Sequence, residues 1–333
     1  MFCKSITRSL RGAAAVLALS FAATASAQTK WDLAISWPPG NFHTKNAVAF
    51  AEAVDRATGG QVKITVHPGG ALGLKGPESM RAVRDGIVPI AEYNLPQQVG
   101  DAPLFGIENL PFLVDDYDNL RTLHAIIRPE YDKVLARYNQ KMLYMVPWPN
   151  QYIFSKGAVV NTADAKDVKV RTTDRNTSEL VKGIGMVPVQ MTFADMMPAL
   201  ASGALGGVTT SATTAVDSRF WEFLKFAYKT NHVWSSNAVT VNLTAFNKLS
   251  PEQRAAVEKA ARELEPGFWK ASQEDDAKSA AVVREHGMQV APASAALAAD
   301  LRKAGLAIQE DFAKKTGDPV PALLKEYQAR AKR

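Results

Sequence analysis

The sequence of 333 residues contains a single cysteine, Cys3. Cys3 lies in a segment typical of export signals, so we expect a mature chain without cysteine, disulfide bond or lipid anchor. A chain of this length can be stabilised by its hydrophobic core alone. An exported protein without disulfide bonds fits a bacterial periplasm better than a eukaryotic extracellular space.

The apolar run at residues 13–22 is too short to span a membrane. It follows a basic start and precedes the small residues Ala-Ser-Ala at 25–27, which is the order of a secretory signal. We therefore predict a cleaved signal peptide over residues 1–27, a mature chain from Gln28, and a periplasmic location.

Sequence motifs of catalysis, metal binding and phosphate binding are missing. There is no G-x-S-x-G, and no G-x-G-x-x-G follows the first predicted strand. The five histidines are scattered, without the spacing of a zinc site. The glycine-rich stretch 203–207 lacks the lysine of a phosphate-binding loop. We predict no metal, no cofactor and no enzyme activity; the alternative is an exported α/β enzyme whose active site is dispersed along the sequence.

Charge is balanced, with 39 Lys and Arg against 33 Asp and Glu. The charges are interspersed, and no basic tract of the nucleic-acid-binding type occurs, so we predict no nucleic-acid partner. The mild positive balance suits an anionic ligand, although many inert surfaces share it.

Strand and helix patterns alternate at the start of the predicted mature chain. Residues 31–37, 62–66 and 87–92 read as strands, and helical patterns begin at Ala47 and Pro77 between them. This β-α-β-α-β order predicts an α/β fold with mainly parallel sheets flanked by helices. Such sheets bind ligands in loops at the carboxyl ends of their strands.

A second β-α-β region begins near Trp148, and the length suggests two domains. Its predicted strands are 152–154, 168–171, 187–190 and 205–209. We predict that the first domain comprises residues 28–149 with about 237–268, and the second comprises residues 150–236 with about 269–333.

One predicted helix is unusually long. Ser250, Pro251 and Gln253 form a strong helix start, and Gly287 ends the pattern. The helix would be roughly 54 Å long if continuous, with a kink or break at Pro266-Gly267. We expect it to run along both domains.

Arg171 occupies a distinctive position. Val168 and Val170 alternate with polar neighbours as in a strand with one buried face, and Asn176 with Glu179 is a fair helix cap. Arg171 thus stands at the carboxyl end of a strand, just before a helix amino terminus, where an anion is favoured. The alternative is an ordinary surface or ion-paired arginine.

Four segments together resemble TRAP-transporter solute-binding proteins. The stretch 167–211 resembles the central signature of that family, with a strand ending in arginine followed by a helix. "VHPGGALG" (66–73), "VRDGIVPIAEYN" (83–94) and "ENLPFLVDDYDN" (108–119) resemble further family motifs in the same order. Each motif alone is weak, but their succession behind a signal peptide is specific.

The resemblance implies a two-domain periplasmic binding protein fold and a receptor that performs no chemistry. Such a receptor captures an organic carboxylate between its domains and delivers it to the membrane permease subunits of a TRAP transporter. A receptor for a membrane sensor is the alternative within the same fold. In the family the conserved arginine, here Arg171, binds the substrate carboxylate with two hydrogen bonds, as the planar guanidinium permits.

The resemblance also narrows the ligand. Gln151 stands where some members have a second arginine and others a glutamine that helps to hold a metal. The acidic residue that would support such a metal is absent at Thr209 and Thr210. We therefore expect no metal, and a monocarboxylate rather than a dicarboxylate.

Further ligand-binding candidates follow from their position in the family pattern: Trp37, Asn94, Phe193, Thr210 and Trp148. An aromatic wall with one arginine suits an aromatic or branched carboxylate. The alternative for each aromatic residue is packing in the core or between the domains, which is the commoner role of tryptophan.

Overall fold

The computed structural model describes residues 28–332. The predicted signal peptide lies outside the described residues. The strands are β1 Thr29–Ala34, β2 Val62–His67, β3 Ile90–Asn94, β4 Gln140–Pro147, β5 Gln151–Ser155, β6 Lys169–Thr172, β7 Val187–Gln190, β8 Gly207–Ser211, β9 Phe226–Lys229, β10 Ser236–Asn242 and β11 Gln289–Pro292. The helices are α1 Phe42–Ala57, α2 Ser79–Arg84, α3 Tyr117–Arg137, α4 Thr162–Ala165, α5 Arg175–Gly183, α6 Phe193–Ala201, α7 Ala212–Asp217, α8 Leu243–Asn247, α9 Pro251–Glu285, α10 Ala295–Thr316 and α11 Val320–Arg330.

These strands form two sheets flanked by helices, which confirms the predicted two-domain α/β fold. The first sheet has the order β2-β1-β3-β10-β4, and the second has the order β11-β9-β5-β8-β6-β7. Pairing is parallel except along β10 and β5, each of which runs antiparallel to both neighbours. Both sheets are therefore mixed, because β10 in the first sheet and β5 in the second run antiparallel to the strands beside them.

Three of the predicted strands shift along the chain, and one of them, predicted at 205–209, is β8 at Gly207–Ser211. The first ends at Ala34, three residues before Trp37, so Trp37 belongs to the following loop. The third begins at Ile90 and includes Asn94, its last residue. The β2 strand begins at Val62 as predicted. These shifts place Trp37 and Asn94 at the same edge of the first sheet.

Helix α9 confirms the long-helix prediction. Ser250 accepts a hydrogen bond from Gln253 N, and the Gln253 side chain accepts one from Ser250 N. The predicted break at Pro266-Gly267 is wrong, because the helix is continuous through Pro266; a kink there stays a prediction. The helix ends before Gly287, whose φ of +88° suits glycine. Its first half packs into the core of the first sheet, and Val283 packs into that of the second.

Three hydrophobic clusters form the core. One lies around the first sheet, and two lie around the second. Val320, Leu323 and Tyr327 of α11 belong to the first cluster, since α11 packs on α3. The predicted domain boundaries stay a prediction; they group α11 with the second sheet, whereas its apolar face contacts the first.

Candidate functional site

All seven predicted binding residues line one cleft between the two sheets. They lie at facing rims, because each follows a strand, is one of its last two residues, or begins a strand that runs the opposite way. The cleft is narrow, and the empty space within it and at its mouth totals about 370 Å³, open solvent included. The residues that line it are Trp37, Asn94, Gln97, Trp148, Gln151, Arg171, Thr173, Phe193, Thr210, Thr214 and Ser235.

Arg171 is buried in this cleft, with 2% of its surface exposed. Its Nε–H donates to the carbonyl of Met191 at 3.2 Å, and no ion pair joins it to a carboxylate within residues 28–332. Burial lowers its pKa to about 10, and the nearby charge of Asp174 offsets this in part. The guanidinium is therefore charged at neutral pH and, among residues 28–332, contacts no carboxylate, which favours an anion in the cleft.

The prediction of a strand with only one buried face is wrong at the carboxyl end of β6. Val170 and Arg171 are both buried, because the polar face of β6 at this point meets the opposite wall of the cleft. The prediction that Arg171 stands between a strand end and a helix start is confirmed, since β6 ends at Thr172 and α5 begins at Arg175.

The helix cap beside Arg171 is Asp174, so the prediction of Asn176 as the cap is wrong. Asp174 accepts hydrogen bonds from Thr177 N at 2.9 Å and from Thr173 Oγ1 at 2.6 Å. Asn176 instead donates to the carbonyls of Gly106 and Asn109. The amide of Asn176 thus ties α5 to the segment after β3, a contact that local sequence does not reveal.

Three aromatic rings form one wall of the cleft. Trp37 contacts Trp148 edge to face, with ring centroids 4.6 Å apart, and contacts Phe193 in the same way at 5.3 Å. The indole N–H of Trp37 donates to Glu92 Oε1 at 3.3 Å, so Trp37 is anchored to β3 while it lines the cleft. Phe193 belongs to the second-sheet side, and the wall therefore crosses between the two sides.

A buried polar network lies behind the indoles. Glu92 accepts hydrogen bonds from Trp37 and Asn237, and its Oε1 lies 3.3 Å from His43 Nδ1. Burial raises the pKa of Glu92 to about 8 and lowers that of His43 well below its ordinary value. Sequence reasoning missed this network; the one available signal was a glutamate within an otherwise apolar strand.

The remaining predicted residues supply amides and hydroxyls. The Gln151 amide donates to the carbonyl of Pro149 at 2.8 Å, which leaves its oxygen available as an acceptor. Thr210 lies in β8 beside the cleft, and Thr173, Thr214, Gln97 and Ser235 add polar groups that were not predicted. Thr173 belongs to the polar run after Arg171, and so it was within reach of sequence reasoning.

Two polar contacts join the sides of the cleft. Lys75 pairs with Asp195 of α6 at 3.0 Å, and Asn41 donates to Asp217 of α7 at 2.6 Å. The second contact is the more buried, and burial raises the pKa of Asp217 to about 6. Both contacts bridge the two rims of the cleft.

A wider groove lies between α10 and the segment after β3. Its empty volume is about 1160 Å³, and Phe312 and Val99 are among its lining residues. Lys315 on its rim pairs with Asp311 at 2.7 Å. The groove has no buried cation without a counter-ion among its lining residues, so the narrower cleft is the better anion site.

Two kinds of feature are missing from residues 28–332. No three His, Cys, Asp or Glu side chains gather there in a way that could hold a metal ion. None of the helices in that range combines the length and apolar character needed to cross a membrane.

A family model for bacterial extracellular solute-binding proteins, family 7, matches residues 33–316. The chain therefore belongs to this family, and the predicted resemblance to TRAP-transporter solute-binding proteins is confirmed. The family and its structural relatives are solute receptors.

Among individual relatives, a marine metagenome TRAP solute-binding protein specific for pyroglutamate is 34% identical. Its structure superposes with a TM-score of 0.88 and covers 91% of this chain and 99% of its own. DctP7 of Bordetella pertussis, a receptor binding pyroglutamic acid, is 31% identical at a TM-score of 0.88, covering 90% and 99%. A solute-binding protein of Verminephrobacter eiseniae is 30% identical over 80% of this chain and 81% of its own.

Proposed function

We propose that this chain is the periplasmic receptor of a TRAP transporter, which captures a small organic monocarboxylate in the cleft and delivers it to the permease. The observation that carries the proposal is Arg171, a buried guanidinium that lines the cleft and contacts no carboxylate of residues 28–332. Family membership supports the same role.

Arg171 holds the ligand carboxylate in this proposal. Its Nε–H is already bonded to Met191, so the N–H groups of the two Nη atoms are the ones that meet the carboxylate. A planar guanidinium can bind both carboxylate oxygens, and such charge-assisted bonds are stronger in a desolvated site. The start of α5 adds a favourable dipole, although Asp174 caps it.

The charge of the cleft favours one carboxylate over two. Arg171 is the single lysine, arginine or histidine among the residues that line it. A second carboxylate would face the amide of Gln151 or the hydroxyls of Thr210 and Thr214. Burying a charge without a counter-charge is costly, so a dicarboxylate is disfavoured.

The shape of the cleft favours a compact ring or a branched chain. Trp37, Trp148 and Phe193 offer ring edges and faces, and the space is small. Two solved relatives that are 34% and 31% identical bind pyroglutamate and pyroglutamic acid. A cyclic monocarboxylate of this size is therefore our first candidate, and aromatic or branched monocarboxylates follow.

In this proposal the two domains close on the ligand, and the permease recognises the closed receptor. We place the first domain at residues 28–149 with about 237–268, and the second at 150–236 with about 269–333. Contact of α11 with α3 then links the carboxyl-terminal end of the chain back to the first domain. Closure buries the carboxylate and joins the rims into one surface that the permease can recognise.

A thermal-shift panel tests this function. We expect L-pyroglutamate and branched or aromatic monocarboxylates to raise the melting temperature, and succinate, fumarate and malate to leave it unchanged. The Arg171→Met variant, which lacks the cation, should fold but respond to none of them. Stabilisation by the dicarboxylates alone, or an undiminished response of Arg171→Met, contradicts the proposal.

A further inference from the structure

Asn94 lines the cleft, and only one of the two polar atoms of its side-chain amide makes a hydrogen bond. Its Nδ2 donates to Asn237 Oδ1 at 3.1 Å. Its Oδ1 is buried and has no hydrogen-bond partner within residues 28–332, and the whole side chain is only 6% exposed. A buried polar atom without a partner is rare, because it forgoes the bonds that it makes to water.

The orientation of this amide is fixed by its neighbours. The indole N–H of Trp148 can only donate, and it contacts Asn237 at 2.8 Å, so the atom that it meets must be the oxygen, Oδ1. The other end of Asn237, Nδ2, then donates to Glu92 Oε1. Since Asn237 Oδ1 accepts, the atom of Asn94 that contacts it must be Nδ2.

Glu92 fixes the orientation of the Asn237 amide by accepting a hydrogen bond from its Nδ2. Its Oε1 also accepts from the Trp37 indole, and the carboxyl group is 3% exposed. A carboxyl oxygen with available lone pairs accepts these bonds whether the group is ionised or carries its proton on Oε2. Reversing either amide would place donor against donor or acceptor against acceptor.

We propose that Asn94 Oδ1 selects ligands that present an N–H or O–H donor toward the first sheet, while Arg171 holds the carboxylate from the second. This inference rests on the proposed function, in which Arg171 binds a monocarboxylate. Asn237 and Glu92 act through Asn94 and are positioning residues. The cleft thus binds two groups of the ligand: Asn94 on the first-sheet side binds the donor, and Arg171 on the second-sheet side binds the carboxylate.

A ligand without a donor is disfavoured because Asn94 Oδ1 can only accept a hydrogen bond. A ligand with a keto oxygen, an ether oxygen or a methylene group at this place leaves Asn94 Oδ1 without a partner when the cleft closes. Sites built to bond a polar ligand group reject analogues that lack it, because their own buried group is left unpaired. We expect a loss of affinity on the order of tenfold to a hundredfold, the cost of leaving one buried acceptor without a hydrogen bond.

A matched pair of ligands tests the inference on the unaltered mature protein. L-Pyroglutamate carries a ring N–H, and the corresponding enantiomer of 3-oxocyclopentane-1-carboxylate replaces that N–H by CH₂ while it keeps the carboxylate and the carbonyl. A second pair is 2-hydroxy-4-methylpentanoate and 4-methylpentanoate. In titration calorimetry we expect the donor-bearing member to bind more tightly in at least one pair, and equal affinities in every pair that binds overturn the inference.

Three variants test whether Asn94 is the residue that causes the preference for donor-bearing ligands. Asn94→Leu keeps the volume but removes the acceptor, and Asn237→Ala frees Asn94 to reverse its amide; both should bring the two affinities of a pair close together. Thr210→Val removes another cleft hydroxyl and should keep their ratio, even if both affinities fall. An unchanged ratio in Asn94→Leu, or a ratio lost in Thr210→Val instead, overturns the assignment to Asn94.

The outcomes separate the two proposals. Binding of monocarboxylates without preference for donors leaves the receptor function standing and ends the role of Asn94. If the wild-type protein binds no member of either pair, the proposed ligand class and the inference that rests on it are both wrong.

Discussion

Asn41 and Asp217 connect the two rims of the cleft through a hydrogen bond of 2.6 Å from Asn41 Nδ2 to Asp217 Oδ2. Asn41 also caps α1, and Asp217 is the last residue of α7, so the bond joins a helix of each side. Burial raises the pKa of Asp217 from 3.8 to about 6; the hydrogen bond from Asn41 opposes the rise, Asp275 adds to it, and Lys45 also opposes it. This environment therefore disfavours the charged form of Asp217.

The Asp217→Asn variant tests this relationship. A raised pKa in the folded state means that the contribution of Asp217 to stability is complete below pH 3.8 and is lost as pH rises through about 6. The neutral amide should therefore make the variant more stable than wild type at pH 7, by about 1–3 kcal/mol, with the difference fading near pH 4. Denaturant unfolding at several pH values measures it. A variant that is less stable at neutral pH contradicts the prediction.

The exposed pair of Lys75 and Asp195 should contribute little to affinity. Both side chains are about half exposed, so the pair is screened by water and salt although it joins the rims. We expect Lys75→Ala to weaken ligand binding by less than about 1 kcal/mol, through faster release, and only at low salt. Stopped-flow release rates at low and high salt measure this, with Lys133→Ala on α3 as the control for an ion pair within one helix. A large effect that persists at high salt is inconsistent with a screened contact.

Two glycine-to-alanine changes should have opposite signs. A Cβ at Gly207 would lie 2.6 Å from the carbonyl oxygen of Phe154 on the paired strand, and backbone cannot easily move there. We expect Gly207→Ala to destabilise the fold by about 1–3 kcal/mol. Gly267 lies exposed inside α9 with nothing within 4 Å of its Cβ position, so Gly267→Ala should stabilise it by about 0.5–1 kcal/mol. Denaturant midpoints measure both, and the same sign for both variants would contradict the reasoning.

Local sequence predicted the fold and the rim of the cleft well. Strand ends and helix starts are encoded by alternation, caps and glycines, so β2, α9 and the position of Arg171 emerged from short windows. Residues that follow strands fall on a common rim whatever the details of packing. For this reason Trp37, Asn94 and Trp148 line one cleft although the first and third strands were misplaced by a few residues.

Contacts between distant segments could not be predicted in the same way. Strand β10 returns to pair between β3 and β4, so Asn237 meets Glu92 across 145 residues of sequence. Asn176 and Asp174 are equally good caps by type, and the choice was made by carbonyls about 70 residues away that bind the Asn176 amide. Arg171 departs from the alternation of buried and exposed residues because the opposite wall of the cleft, rather than solvent, covers it.

The affinity of Arg171→Lys for L-pyroglutamate, or for the monocarboxylate that stabilises wild type most, tests the account most directly. Lysine keeps the charge and loses the two-pronged geometry, so titration calorimetry should show a loss of about 1.5–3 kcal/mol, roughly ten- to a hundredfold in Kd. Unfolding should stay close to wild type, and Arg175→Lys, an exposed arginine of α5, should leave affinity unchanged. Equal affinities of wild type and Arg171→Lys would contradict the role of Arg171 as the carboxylate anchor.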